Sequence, residues 1–229
     1  MPRLLSSLSR QDYPLLRSTK VFVADANSTD DTVAIANSYR DRLDIEVIPG
    51  GLPAIGRNAG ARRATTEYIL FMDADIVLKR RDLLRRAMQT MTRRRLNCLT
   101  TNIWCTGGSL LDQALYAGNN FIQYFASWTK PFATGMFMLF RKSKFDELGG
   151  FNEHALFAED YLLSKQVSPL RFGIVHGGVL TSNRRFKKMG HFKMVRMFLR
   201  TAFNTWNESY FLRDHNYWEK DEPQQTTVH

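Results

Sequence analysis

The sequence predicts an α/β protein in three layers, a mostly parallel central sheet with helices on both faces. Three observations predict it. Strand-length apolar runs alternate with stretches of helical periodicity through residues 20–93. Those runs end in acidic or glycine-rich loops, as strands do where a sheet opens toward a ligand. Finally, 229 residues, 44% hydrophobic and 24% charged, suffice for one buried core and leave little for a second.

The opening MPRLLSSLSR reads as a short amphipathic helix and lacks the apolar block of a secretory signal. Residues 20–24 (KVFVA) form a strand, with residues 25–28 as its exit loop. Ser28 is a good N-cap, and Asp30 and Asp31 suit the first turn of a helix running to residue 40. Residues 45–48 (IEVI) form the next strand, closed by Pro49-Gly50-Gly51. A helix over 55–64 leads into the strand 68–72 (YILFM), and Leu83, Leu84, Ala87, Met88 and Met91 then repeat at helical spacing.

The second half is less regular. Residues 110–128 predict an aromatic-rich helix, 133–140 an apolar stretch opened by Thr134-Gly135, and 149–153 a turn-rich loop. Glu159-Asp160 opens a short helix, and 172–175 reads as a strand. Over 191–207, Phe192, Val195, Leu199, Phe203 and Trp206 fall on one stripe, with Lys193, Arg196, Arg200 and Asn204 away from it. Such a stripe either packs on the core or meets an anionic membrane. Residues 1–216 are expected to form a single domain and the polar tail 217–229 to be frayed.

The net charge of +10 is concentrated between Lys165 and Arg213, where ten Lys and Arg stand against one acid, Glu208. That concentration calls for an anionic partner. No recognised nucleic-acid-binding module occupies this basic third, so nucleic acid is excluded as the partner. No apolar run approaches the roughly 20 residues of a transmembrane helix. Cys98 and Cys105 match no metal spacing and read as lone thiols of a reducing cytosol, which places the chain in the cytoplasm.

Asp73-Ala74-Asp75 follows the apolar strand 68–72 directly. Side chains alternate along a strand, so the two carboxylates are expected to leave the sheet together. Paired hard oxygen ligands there suit Mg²⁺ or Mn²⁺ carrying a phosphate. The alternative is an ordinary acidic turn at a strand end.

Several segments in order give the chain its resemblance to the family 2 glycosyltransferases of the GT-A fold. They are residues 23–32 (VADANSTDDT), 54–60 (AIGRNAG), 64–75 (ATTEYILFMDAD), Thr134-Gly135 with 149–152 (GGFN), and Glu159-Asp160. The resemblance implies a nucleotide-sugar donor, UDP- or GDP-linked, a divalent metal (Mn²⁺ or Mg²⁺) and an inverting displacement onto a hydroxyl acceptor, lipid-linked or a glycan. It also implies that Asp25 contacts the base or ribose and that Arg57 and Asn58 line the nucleotide pocket. On the same grounds Asp73 lies near the ribose, Asp75 binds metal and Asp160 is the general base, with Glu159 orienting the acceptor or a basic side chain. His176 matches the place where some relatives complete the metal shell, and a strand-end histidine also reads as structural. Arg184 and Arg185 read as a lid over the diphosphate, as contacts to an anionic acceptor, or as a solvated basic loop. Because such acceptors are often lipid-linked, peripheral contact with an anionic membrane at its inner face is expected.

One departure stands out. Members of the family begin with a buried strand that would lie between the strands at 21–24 and 69–72, whereas this sequence opens in the helix after it. The expectation is that this strand lies upstream of Met1; failing that, the two strands close up or the chain is an inactive remnant. Haloacid-dehalogenase-type phosphatases also carry Asp-x-Asp at a strand end, but on their first strand, and sugar nucleotidyltransferases need an N-terminal glycine-rich loop that is absent here.

Overall fold

The computed structural model describes residues 1–204, 207–213 and 215. Along the chain run α1 (Pro2–Leu8), β1 (Lys20–Asp25), α2 (Thr32–Asn37), β2 (Asp44–Pro49), α3 (Pro53–Arg63), β3 (Tyr68–Phe71), β4 (Val77–Leu78), α4 (Leu83–Arg93) and β5 (Cys98–Thr106). They are followed by α5 (Leu110–Ala126), β6 (Met138–Arg141), α6 (Lys142–Glu147), α7 (Glu159–Ser164), β7 (Phe172–Ser182), α8 (Arg184–Met189), α9 (His191–Phe203) and α10 (Glu208–Phe211).

The strands form two sheets. β1 and β2 pair in parallel, and the other five lie in the order β3-β6-β5-β7-β4. Within the five, β5 and β7 are parallel, while β3–β6, β5–β6 and β4–β7 are antiparallel. The expected alternation of strand and helix is present, with a parallel β1–α2–β2 unit and a mixed second half. β5 had no counterpart in the sequence reading, because residues 98–101 are all buried and a strand covered on both faces shows no alternation.

β1 and β3 do not close up. Each ends its own sheet, and among the described residues no ladder joins them. Apolar burial does so instead: Val23 of β1 and Ile45 of β2 share one core cluster with Leu139 of β6 and Val175 of β7. α1 supplies Leu4, Leu5 and Leu8 to the same cluster, each such side chain contributing about 2 kcal/mol. Two buried polar side chains fix α1 to the larger sheet. Ser7 Oγ accepts the Leu78 N–H (3.0 Å), and Gln11 accepts from the Leu84 N–H (3.1 Å) while donating to the Arg80 carbonyl (2.7 Å). The second core is aromatic, with Phe71, Phe140, Phe145 and Phe151 in mutual contact.

α2 begins at Thr32 rather than at Ser28. The Asp25 carboxylate takes the Ser28 N–H (3.2 Å) and Asp30 takes the Thr32 N–H (3.0 Å). Local side-chain acceptors thus hold the segment in turns and delay the helix.

Candidate active site

Arg57 sits in the second turn of α3, a helix started by Pro53 at its first position. Its guanidinium lies over the Phe151 ring at 5.3 Å and is largely buried. One nitrogen donates to Asp73 Oδ1 at 2.6 Å, and the other donates to Glu159 Oε1. Asp160, the next residue, accepts the Gly135 N–H on one oxygen (2.7 Å) and the Tyr161 N–H on the other (2.8 Å). A Cβ at position 135 would collide with the Arg57 guanidinium, so this close backbone approach requires glycine. Ala158, just before the acidic pair, is held at φ +51, a left-handed conformation that turns the chain sharply into α7.

One cation therefore faces three carboxylates. Burial alone would lower the Arg57 pKa, but Asp73 and Glu159 outweigh it and keep the guanidinium charged. Burial, reinforced by the charge of Asp160, pushes Glu159 from 4.5 up to about 7, and Arg57 only partly opposes this. Burial also raises Asp160, against the pull of Arg57 and of the two backbone N–H groups. Burial thus favours the neutral form of both carboxyls, while the two N–H donors favour the ionised form at Asp160.

This has a consequence for stability. Glu159 binds its proton more tightly folded than unfolded, so its contribution is complete below about pH 4.5 and is lost as the pH rises through about 7. The loss is on the order of 3 kcal/mol. Without ligands, the native and Glu159→Gln chains are expected to melt together near the acid end, with the native falling behind as the pH approaches 8. A constant offset across the range would contradict the assignment.

Asp73 and Asp75 do not leave a strand side by side. β3 ends at Phe71 and both lie in the following turn, so alternation does not apply to them. Asp73 turns toward Arg57, while the exposed Asp75 carboxylate meets Arg184 Nη2 at 3.3 Å. Asp25 stands at the end of β1, its carbonyl accepting the Gly50 N–H (2.7 Å). The Arg185 side chain lies outside the described residues, as do Trp206 and the tail 217–229.

Two of the expected site residues stand in other surroundings. Asn58 faces the 149–153 loop. It is buried, donates to the Phe151 carbonyl (2.8 Å) and to Glu153 (2.9 Å), and accepts the Phe151 N–H (3.0 Å). It is one turn face away from Arg57 and pins the 149–153 loop, where Gly150 at φ +74 leaves no room for a Cβ beside the Asn58 oxygen. Asn58→Ala should lower stability by about 2 kcal/mol through the orphaned Phe151 backbone groups, measured by urea unfolding, with faster proteolysis of that loop. His176 stands exposed in a bulge of β7, where the pairing with β5 jumps from Thr101↔Val175 to Ile103↔Val179, rather than after the strand's end.

Beside Asp75 lies a cleft of about 450 Å³, lined also by Arg3, Arg10, Tyr39, Thr181 and Ser182. The sequence reading missed Arg3 and Arg10; their spacing of seven on an amphipathic opening segment was the available signal.

Among the described residues, no group of three or more His, Cys, Asp or Glu could cage a metal. Mg²⁺ and Mn²⁺ can instead be held by one or two carboxylates together with substrate phosphates and water. The hard oxygens of Asp75 fit that mode, its carboxylate being open to solvent.

The sequence pattern described as "Glycosyl transferase family 2" matches residues 1–149. The poly(ribitol-phosphate) beta-N-acetylglucosaminyltransferase TarS of Staphylococcus aureus is 36% identical over 84 residues, 35% of this chain and 14% of that protein. The crystal structure of S. aureus TarS 1–349 in complex with UDP-GlcNAc superposes with TM-score 0.62 at 22% identity, covering 79% of this chain and 54% of that one. The mannosyltransferase PcManGT of Pyrobaculum calidifontis, in complex with GDP-Man and Mn²⁺, gives TM-score 0.62 at 20% identity, covering 85% and 59%. These structures share the GT-A fold with this chain, which spans only part of the length of each.

Proposed function

Because this chain belongs to glycosyl transferase family 2, we propose that it moves a sugar from a nucleoside-diphosphate donor, UDP- or GDP-linked, onto an acceptor hydroxyl with inversion. The observation that supports this best is the Arg57 junction. One guanidinium ties the acidic turn after β3 to the acidic pair opening α7, 86 residues apart in sequence, which supports assigning the two halves of such a reaction to neighbouring groups.

In this reading Asp160 takes the acceptor's proton as its oxygen bonds to the anomeric carbon and the bond to the diphosphate breaks, the electron pair leaving with the nucleoside diphosphate. The two backbone N–H groups hold the carboxylate in place. Glu159 positions Arg57, and Arg57 in turn positions Asp73 near the nucleoside. Asp75, with the donor's phosphates, would hold Mn²⁺ or Mg²⁺, whose chemistry is to neutralise charge on the leaving diphosphate. Arg184 is placed to meet the same phosphates when they displace it from Asp75. Asp25 is the candidate contact to base or ribose. A cytoplasmic chain touching the inner face of an anionic membrane through α9 belongs to the same reading.

The test is nucleoside diphosphate release from a panel of UDP- and GDP-sugars with Mg²⁺ or Mn²⁺. Release from one class of donor is expected, with none of phosphate from simple esters; the reverse pattern would revive the phosphatase reading. The interruption between β1 and β3 favours one second reading, a chain that binds donor without turning it over. Calorimetric donor binding without release would establish it.

A further inference from the structure

α5 is amphipathic in the inverted sense. Its fully buried positions are polar, Asp112, Asn120 and Gln123, with Leu115 and Tyr116 partly buried beside them. Asn120 pairs with both backbone groups of Ile103 (2.9 and 2.8 Å), Asp112 with Asn183 (3.0 Å) and His191 (2.7 Å), and Gln123 with the Phe132 carbonyl (3.2 Å). Its outward positions are apolar. Leu110 is 84% exposed, Phe121 65%, Ile122 61%, Phe125 51% and Trp128, just beyond the helix, 68%. Phe121, Phe125 and Trp128 form a continuous ladder, with ring centroids 4.6 and 6.4 Å apart. From residue 110 to 129 the sequence has a single charge, Asp112, and that one is buried. A solvated face would carry charges, and a patch of this kind marks an interaction surface.

α9 continues the surface. Met194 and Met197 take its core positions, while Phe192 (82% exposed), Leu199 and Phe203 (81%) face outward, flanked by Lys193, Arg196 and Arg200. The Asp112–His191 contact and the Tyr116–Phe186 ring pair tie α5 to the α8–α9 segment. From Arg184 to Asn207 the sequence has seven cations and no acid. Two outward apolar faces, the second carrying cations and no acid along its own helix, with Tyr124 and Trp128 at the end of α5, are complementary to a bilayer of anionic headgroups over hydrocarbon.

We propose that the outer face of α5, joined by the outward stripe of α9, docks into the surface of an anionic lipid bilayer. The docking deepens the reading above by giving the acceptor a location. Seven residues after Trp128 the chain reaches Gly135, whose N–H holds Asp160. The Phe132 ring, four residues after Trp128, also lies 6.5 Å from that of Tyr161, the neighbour of Asp160, which suits an acceptor hydroxyl borne by a membrane lipid; that clause alone rests on the proposed transfer.

The test is co-sedimentation of the full chain with phosphatidylcholine vesicles, with and without phosphatidylglycerol. Binding to the anionic vesicles is expected, weakened by salt. The triple variant Phe121→Ser, Phe125→Ser, Trp128→Ser should bind roughly 100-fold more weakly, with unchanged circular dichroism. Phe121→Ser alone, at a side chain 65% exposed, should weaken binding in the same direction and serves if the triple variant does not fold. Equal binding by native chain and variants would overturn the proposal. So would a native dimer that the variants convert to monomer while no form binds vesicles, since the face would then join two copies. Donor hydrolysis without vesicles reads the transfer separately: its absence in a native chain that still binds vesicles would sink the transfer and leave the docking intact.

Discussion

Replacing Asp160 by asparagine is expected to slow sugar transfer about 1,000-fold while leaving donor affinity nearly unchanged. Asparagine keeps the shape and can still accept the Gly135 N–H, but it cannot take a proton from the acceptor. Asp75→Ala should reduce transfer at least as much and lose donor affinity as well, because its carboxylate faces the donor's phosphates rather than the acceptor in the proposed arrangement. Isothermal titration of donor into both variants separates the two roles. Equal donor affinity in the two would contradict the assignment, whatever the rates.

Arg57→Met is the second large effect, and it acts on stability and activity together. The substitution leaves Asp73, Glu159 and Asp160 without their shared cation, and breaking a buried pair by removing one partner costs about 3 kcal/mol, the lower end applying because Asp73 is partly exposed. Added protons can relieve the carboxylates, so the variant should recover stability as the pH falls, opposite to a variant that merely loses packing on Phe151. Arg57→Lys should not restore activity, since a single ammonium cannot reach Asp73 and Glu159 in the forked geometry. Urea unfolding at two pH values, with donor release assayed beside it, checks both parts.

Much of the site was legible before any coordinates. The acidic turn at 73–75, the Arg57 segment, Thr134-Gly135 and Glu159-Asp160 each carry residue types that a phosphate-bearing donor and a hydroxyl acceptor need. The Glu159–Arg57 pairing was among the roles expected for Glu159. Asn58 follows Arg57 directly, but one residue along a helix rotates the side chain by about 100° and turns Asn58 to the 149–153 loop. For His176, nothing in the local pattern distinguishes a strand end from a bulge. The stripe of α9 was recognised as a stripe, and its direction was left open between core and membrane; the core positions went to Met194 and Met197 instead.

The amino-acid order by itself determined the succession of elements through β3 and α4 and the chemical kinds gathered in the acidic and glycine-rich loops. These are local properties: hydrophobic periodicity, turn chemistry and the residue types a reaction can use. Only the tertiary structure decided that Asp73 and Glu159 meet on one guanidinium, that β1 and β3 stand unjoined, and that α5 turns its polar side inward. Each of those depends on which partner a face finds, and a face finds its partner through contacts between segments far apart in the chain, which no local pattern records.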